Sequence, residues 1–353
     1  MNRNLKLNSA KLDQSSISIE RLRQGFCIAC IGIATILIFP QMIGAQAEKQ
    51  KSERKEPQAQ EKQNKKPRKF IGSNDGYKKG GLVYSTYKNA EGEELELKCD
   101  VYVPNGEGPF PTIIAVHGGA WRSGAKWHMM RHAWKFVKAD FVVVAINYRH
   151  APKYKFPAQI HDVKAAVRWM RQNHKKYKID KEQIVAFGYS AGGHLVSLLA
   201  TTDPEDGLEG TIPEAQKGIS TRVKAVVAGG APCEFSWIDE DSWSLNYWMG
   251  STRNRAPEKW KRASPINHIS KDDPPFWFFH GTRDQVVPAS STEKMNEALE
   301  KAGIETSRKE YPGYGHFSMF SNIETVDIAV EFYNKILDRK SAKPSDPSET
   351  SKR

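Results

Sequence analysis

The chain has 353 residues, a formal net charge of +12 and 39% hydrophobic residues. This balance excludes collagen-like, disulfide-rich and wholly disordered proteins, and it allows one domain of ordinary enzyme size. The positive charge is concentrated near the start: residues 1–70 hold 14 Lys and Arg against 6 Asp and Glu, and the other 283 residues hold 39 against 35. A nucleic-acid-binding surface needs a basic face on the folded domain, so we expect no nucleic-acid partner.

The first 47 residues have the pattern of a secretory signal peptide. Arg21 and Arg23 precede an uncharged apolar run at 26–39, and a small-x-small site ending at Ala47 follows. A basic region, an apolar run and such a site form a cleavable signal. The run of 14 residues is shorter than the roughly 20 that a membrane-spanning helix needs. We therefore expect a secreted or periplasmic protein that is cleaved after Ala47 and has no stable membrane insertion afterwards; the alternative is an uncleaved anchor.

Two further segments lack any apolar period. Residues 48–70 are rich in Lys, Gln and Glu, and residues 341–353 are rich in Ser, Pro and charged residues. Such segments cannot bury a core, so both are predicted to be disordered, the first as a charged linker and the second as a tail. The predicted folded domain is 71–340.

Strand and helix patterns alternate within this domain. An alternating strand typical of a sheet edge is predicted over Leu95–Val103. Buried strands are predicted over Pro111–Val116, Phe141–Ile146, Ile184–Phe187, Val223–Ala228 and Pro275–Phe279. Helices are predicted over Trp127–Lys138, Ala158–Asn173, Ala191–Thr201, Ser290–Ala302 and Glu324–Asp338. This order indicates the α/β class, with a doubly wound, mostly parallel sheet and helices on both faces.

One long stretch, 233–273, has no clear period and forms a predicted insertion. It holds four Trp residues together with Phe235 and Tyr247. Long irregular insertions in compact domains are usually functional, and aromatic walls often line substrate clefts. The alternative is that these rings simply pack a cap over the sheet.

A candidate nucleophile lies in the segment Gly188-Tyr189-Ser190-Ala191-Gly192. This is a G-x-S-x-G pattern that follows a predicted buried strand and opens a predicted helix, as in a nucleophile elbow. The tight turn exposes the Ser190 hydroxyl and leaves the Ala191 N–H at a helix N-terminus, where it can stabilise an oxyanion. Tyr189, next to the serine, is a candidate substrate-binding residue.

A second glycine-rich loop follows the strand that ends at Val116. Its sequence, HGGAW over 117–121, is of the H-G-G-x type that presents backbone donors to an acyl oxygen. Gly119 and Ala120 are the candidate donors, and Trp121 is a candidate substrate-binding residue. His117 is expected to hold the loop in place.

A serine nucleophile needs a base and an acid that orients it, in the chain order Ser, acid, His. Asp284 follows an apolar strand in a glycine-containing turn, and His316 lies in a glycine-rich loop before the last helix. We expect Asp284 to fix the imidazole tautomer and His316 to take and return the serine proton. His194 and His280 are expected to be structural, as is Asp162, which we expect to pair with Arg149.

Six segments occur in the order typical of one family. They are HGGAW (117–121), NYR (147–149), FPAQIHDVKAAVRWMR (156–171), GYSAGGH (188–194), HGTRDQVVP (280–288) and GYGHF (313–317). With them, residues 95–338 resemble the α/β-hydrolase fold and the hormone-sensitive-lipase-like esterases within it. The likeness is greatest to exported carbohydrate esterases of the acetylxylan and feruloyl esterase type. Many of those relatives have a third glycine where this chain has Ala120.

The resemblance implies an eight-stranded sheet and a serine esterase acting through an acyl-enzyme at Ser190. Short-chain esters, with acetyl or feruloyl groups on polysaccharide, are the expected substrates, and no metal or organic cofactor is implied. A prolyl-oligopeptidase-type serine peptidase and an inactive carbohydrate-binding homologue remain alternatives. Cleavage of aminoacyl amides would indicate the first, and loss of one of the three catalytic residues is typical of the second.

The implied strand order, 1-2-4-3-5-6-7-8, also bears on the cysteines. It places Cys99 and Cys233 four strand spacings apart, which at roughly 4.8 Å per strand is about 19 Å. A disulfide needs Cα atoms within about 7 Å of each other. We therefore expect two free thiols.

Overall fold

The computed structural model describes residues 71–89 and 91–339, so the predicted signal peptide, linker and tail lie outside the described residues. The described strands form a single nine-stranded sheet. They are β1 (Ile71–Ser73), β2 (Gly76–Lys88), β3 (Glu94–Pro104), β4 (Phe110–Val116), β5 (Val142–Ile146), β6 (Ile179–Tyr189), β7 (Val226–Gly229), β8 (Phe276–Gly281) and β9 (Thr306–Tyr311).

The strand order is β1-β2-β3-β5-β4-β6-β7-β8-β9. The pairs β1–β2, β2–β3 and β3–β5 are antiparallel, and every pair from β5 to β9 is parallel. Without the three-residue β1, this is the eight-stranded order that the resemblance implies. The segment Leu95–Val103 does not form a sheet edge: it lies in β3, which pairs with β2 on one side and β5 on the other.

The helices confirm the five that the sequence predicts and add three short ones. They are α1 (Met130–Val137), α2 (Ala158–Gln172), α3 (Ala191–Thr201), α4 (Asn246–Met249), α5 (Pro257–Ala263), α6 (Ser290–Lys301), α7 (His316–Ser321) and α8 (Glu324–Ile336). The predicted start of α1 is a separate 3-10 turn, Lys126–Met129. Within the described ranges, no helix combines the length and the apolar character that crossing a membrane requires.

Two hydrophobic clusters cover opposite faces of the sheet. Successive side chains of a strand point to opposite faces. In β4, accordingly, Ile114 belongs to the cluster that includes residues of α2, α3 and α6, whereas Ile113 belongs to the cluster that includes residues of α1 and α8. Burial on both faces explains why the central strands are continuous apolar runs. The parallel pairing from β4 through β6 and β7 to β8 places the carboxyl ends of β4, β6 and β8 at one edge of the sheet, where the candidate site residues follow.

The insertion 233–273 contains α4 and α5 and contributes to the core. Trp248, Trp260 and Phe235 are buried among residues of the α2 and α3 cluster, whereas Trp237 and Trp243 are partly exposed. Cys99 and Cys233 are buried free thiols.

The expected pairing of Asp162 with Arg149 is confirmed. Arg149 Nη2 lies 2.6 Å from Asp162 Oδ1, and the backbone N–H of Arg149 donates to Oδ2 at 2.8 Å. Arg149 Nη2 also donates to the Ala158 carbonyl, so the pair joins the loop after β5 to the start of α2. Both side chains are buried, with exposed fractions of 8% and 3%. Removing one partner of such a pair leaves an uncompensated buried charge.

We therefore expect Asp162→Ala to lower the free energy of unfolding by about 3–5 kcal/mol, as for other broken buried ion pairs. Urea denaturation followed by circular dichroism measures this. Glu107→Ala, which removes an exposed carboxylate, is the matched control and should change the free energy by less than about 0.5 kcal/mol. Equal effects of the two substitutions would contradict a stabilising role for the pair.

Candidate active site

Ser190 lies in a tight turn between β6 and α3. Its backbone has φ 56° and ψ −125°, in a region that L-residues seldom adopt and that costs about 1–3 kcal/mol. The turn is held by backbone hydrogen bonds from Ser190 N to Gly229 O (2.8 Å) and from His194 N to Ser190 O (2.9 Å). Only glycine fits at Gly192, because a Cβ there would lie 2.0 Å from the Val116 carbonyl oxygen. The G-x-S-x-G segment therefore forms the predicted nucleophile elbow.

The HGGAW loop packs directly against this elbow. A Cβ at Gly118 would lie 3.7 Å from Ser190 Oγ and 2.9 Å from the Tyr189 carbonyl oxygen. Gly119 has φ 120°, and its carbonyl accepts the N–H groups of Arg122 and Ser123 at 3.0 Å. The loop therefore lies directly beside the serine side chain, where an oxyanion loop must lie.

Ala120 adopts a backbone conformation that favours glycine. Its φ is 50°, and a left-handed conformation costs a residue with a Cβ roughly 1–2 kcal/mol. The Tyr247 hydroxyl donates to the Ala120 carbonyl at 3.0 Å and helps to hold it. The third glycine that many relatives have at this position would adopt the same turn without that strain.

The structure brings the three predicted catalytic side chains together. His316 Nε2 lies 2.9 Å from Ser190 Oγ, and His316 Nδ1 lies 2.6 Å from Asp284 Oδ2. His316 starts α7, and Asp284 follows β8 in the turn after Gly281. The short Nδ1–Oδ2 distance is that of a charge-assisted hydrogen bond, in which Nδ1 donates and leaves Nε2 to accept the serine proton.

The Asp284 carboxylate is buried, and protein hydrogen-bond donors surround it in place of water. Burial alone would raise the pKa of Asp284, but hydrogen bonds from His280, His316 and the Val287 N–H hold this pKa well below its usual range. The N–H groups of Val286 and Val287 both donate to Oδ1 at 2.9 Å. Asp284 therefore stays ionised and can stabilise a protonated His316.

His117 supports the loop, as predicted. Its Nδ1 lies 2.7 Å from the Gly118 carbonyl oxygen, to which it donates, and its ring stacks on Tyr148 at 4.4 Å. Because the C=O and N–H of one trans peptide point in opposite directions, this bond also fixes the direction of the Gly119 N–H. The side chain of His117 is fully buried.

A cavity of about 390 Å³ opens beside Ser190 and His316. Its lining includes Tyr189, as predicted, and the loop residues Gly119 and Ala120. The sequence did not single out its remaining side chains: Arg122, Ser123, His128, Val286, Phe317 and Phe320. Val286 and Phe317 lie inside recognised motifs, and Arg122, Ser123 and Phe320 lie within three residues of one, so their position near a motif is a signal that could have found them. His128 lies seven residues from the nearest motif and has no such signal. Among the described residues, no cluster of three or more His, Cys, Asp or Glu side chains could hold a metal ion.

Trp121 was predicted to be a substrate-binding residue, but the structure places its side chain elsewhere. It does not line the cavity around Ser190. Its side chain is 3% exposed and stacks face to face on Trp248 at 3.7 Å, while its Nε1 donates to His194 Nδ1 at 3.2 Å. A positive φ of 58° turns the residue away from the cavity and into the core. Trp121 is therefore a packing residue beneath the loop.

The fold and the site together define an α/β-hydrolase with a serine–histidine–aspartate array at its strand ends. A family model described as BD-FAE matches residues 99–299, which is more than half of the chain. The protein belongs to this BD-FAE family.

Individual relatives are consistent with that assignment. Esterase LipC of Mycobacterium tuberculosis is 33% identical over 218 residues, which cover 59% of this chain and 53% of LipC. The chain spans about half the length of LipC and of two further Mycobacterium tuberculosis relatives, LipM and LipQ.

Among solved structures, a truncated carbohydrate esterase from gut microbiota matches with a TM-score of 0.67 and 26% identity, covering 76% of this chain and 99% of that one. Esterase Est2 of Thermogutta terrifontis with propionate bound matches with a TM-score of 0.61 and 27% identity, covering 76% and 97%. That esterase has also been solved phosphorylated by paraoxon.

Three buried histidines around the site make stability depend on pH. Burial lowers the pKa of His117 to about 3 and the pKa values of His132 and His194 to about 4, from an ordinary value of 6.5. Between those values the unfolded chain binds more protons than the folded chain, so stability is lost as pH falls through the window. We expect the free energy of unfolding to drop by about 1 kcal/mol per histidine from about pH 7 to 5.5.

Urea titrations at a series of pH values measure this dependence. Between about pH 7 and 8 these histidines are neutral in both states, so the free energy should change little there, which is the internal control. A protein equally stable at about pH 5.5 and 7 would contradict the burial of neutral histidines.

Proposed function

We propose that the protein is a serine esterase that hydrolyses short-chain carboxylic esters. The proposal rests above all on the hydrogen-bonded array of Ser190, His316 and Asp284 at the wall of an open cavity. The relatives named esterases and the carbohydrate esterase structure support the same activity.

In the proposed reaction, His316 Nε2 takes the proton of Ser190 as Oγ attacks the acyl carbon. In this proposal the N–H groups of Gly119, Ala120 and Ala191 hold the oxyanion, as donors carried by a packed loop and a helix start can do with little rearrangement. When the tetrahedral intermediate collapses, His316 gives its proton to the leaving alcohol oxygen and an acyl-enzyme remains. Water activated by His316 then releases the carboxylic acid and restores Ser190.

The proposed substrates are acetyl or feruloyl esters on polysaccharide. The cavity volume of about 390 Å³ leaves room for either acyl group, and apolar side chains of Val286, Phe317 and Phe320 form part of its wall. The structural likeness to a carbohydrate esterase favours a sugar as the alcohol. We further propose that the protein is exported, on the strength of the apolar run at 26–39 and the site that ends at Ala47.

Ser190→Ala should reduce hydrolysis of p-nitrophenyl acetate and acetylated xylan by about 10⁴-fold or more, because removing a triad serine leaves only binding and oxyanion stabilisation. Initial rates measure this effect. Ser307→Ala, which removes an exposed hydroxyl of β9 outside the cavity around Ser190, is the control and should retain most of the activity. Hydrolysis that persists in Ser190→Ala would discard the mechanism, and preferential cleavage of aminoacyl amides would favour a peptidase instead.

Paraoxon should phosphorylate Ser190, as it does the Thermogutta esterase. Intact-protein mass spectrometry should show one diethylphosphoryl group, and peptide mapping should place it on Ser190. Because an activated serine is required for this reaction, Ser190→Ala and His316→Ala should both remain unlabelled. Labelling at another residue, or equal labelling of His316→Ala, would contradict activation of Ser190 by His316.

A further inference from the structure

A second histidine lies directly behind the acid of the array. His280 is in β8, four residues before Asp284, and both side chains have an exposed fraction of 0%. His280 Nε2 lies 3.3 Å from Asp284 Oδ2, the same oxygen that accepts the bond from His316 Nδ1. The catalytic steps described above do not use this ring, although it is the nearest imidazole to the carboxylate after His316.

The surroundings of His280 determine which nitrogen carries its proton. Nε2 faces two acceptors, the Val287 carbonyl at 2.9 Å and Asp284 Oδ2 at 3.3 Å. A lone pair in that position would be repelled by both oxygens, so Nε2 must carry a hydrogen. Nδ1 faces the hydroxyl of Thr292 at 3.1 Å, which can donate to it. The neutral Nε2–H tautomer thus satisfies both nitrogens.

Thr292 is itself held from the far side. Its side chain is fully buried in α6, and its hydroxyl oxygen accepts Arg308 Nε at 3.2 Å. Arg308 reaches it from β9 and pairs there with Glu310. The oxygen of this hydroxyl accepts the bond from Arg308, and its hydrogen can be donated either to His280 Nδ1 or to the Ala289 carbonyl, which lies 3.1 Å away.

We propose that His280 is a positioning residue that controls Asp284 through its Nε2–H. This inference rests on the proposed serine-esterase function. With His280 in place, N–H groups surround both oxygens of the buried carboxylate: Val286 and Val287 donate to Oδ1, His316 Nδ1 donates to Oδ2, and His280 Nε2–H lies 3.3 Å from Oδ2. The approach of this N–H restricts the rotation of the carboxyl group and withdraws charge from the oxygen that holds His316.

The charge withdrawal has a predictable direction. A carboxylate that accepts fewer hydrogen bonds keeps more of its charge for the remaining partner and stabilises a positive charge there more strongly. Without His280, Asp284 would hold protonated His316 more tightly, so the base would become available only at higher pH. Two other titratable or charged groups face His316, Asp284 and His280. They are Tyr189, whose ring lies 5.1 Å from the His316 ring, and the Arg308–Glu310 pair.

His280→Leu tests the proposal by removing both ring nitrogens from a fully buried position. We expect kcat for p-nitrophenyl acetate to fall about tenfold or more, since hydrogen bonds to charged groups are strong, while KM changes less than about threefold. In a plot of kcat/KM against pH, the acidic limb should move to higher pH. His280→Gln carries an amide N–H near the Nε2 position and should restore the profile and most of kcat.

His161→Leu is the matched control, because it removes a partly buried imidazole outside the cavity around Ser190. It should leave kcat and the pH profile unchanged. If His280→Leu does not fold, Thr292→Val provides the test: losing the hydroxyl donor to Nδ1 should shift the acidic limb in the same direction by a smaller amount.

The proposal is overturned if the folded variant keeps the wild-type profile, or if its activity falls without a shift and His280→Gln does not restore it. The titration of the His316 ring protons, followed by NMR, reports the same shift without substrate. Wild-type protein lacking Ser190-dependent esterase activity would contradict the proposed function, whereas an unmoved titration in His280→Leu would contradict this inference alone.

Discussion

The site depends on the close contact between the start of α3 and the end of β4. At Gly192 the helix backbone comes so near to the Val116 carbonyl that no Cβ can be accommodated. This contact places the turn of Ser190 beside the loop that follows β4, and it allows Gly118 to lie against the serine side chain. The parallel pairing of β4 with β6 sets the two strand ends at the same level. Nucleophile and oxyanion loop are thus neighbours because of backbone packing, before any side-chain chemistry is considered.

Neutral hydrogen-bond donors, rather than a cation, stabilise the negative charge of the Asp284 carboxylate. Asp284 is a buried negative charge whose oxygens accept hydrogen bonds from two backbone N–H groups and from His316, and His280 Nε2 lies 3.3 Å from one of them. A buried charge is tolerated only when its hydrogen-bonding capacity is filled. Neutral donors fill it without the strong field of a neighbouring Lys or Arg, which would oppose the positive charge that develops on His316. The array can therefore keep the carboxylate ionised and still let the imidazole gain and lose a proton.

The sequence predicted the elements whose chemistry is local. The G-x-S-x-G turn, the H-G-G loop and the ends of α3 follow from glycine spacing and strand–helix order, and the structure places α3 at the predicted bounds. The strands β2 and β9 were missed because their side chains are largely intermediate or exposed, without a continuous apolar run. Trp121 was misplaced because its direction depends on a positive φ that composition does not reveal. Phe317 and Val286 were missed as cavity residues because membership in a motif does not determine which side chains face the cavity.

The insertion is connected to the oxyanion loop through that same tryptophan. Trp121 stacks on Trp248 of α4, and its indole N–H donates to His194 of α3. The other nitrogen of His194 donates to the Ala263 carbonyl at the end of α5 at 2.7 Å. Loop, helix and insertion therefore share one buried aromatic cluster, and a change in its packing would move the backbone donors relative to Ser190. Since a displacement of about 1 Å is enough to impair catalysis, the aromatic residues of the insertion act on the reaction by fixing the loop from below, although Trp248 and Phe235 never reach the cavity.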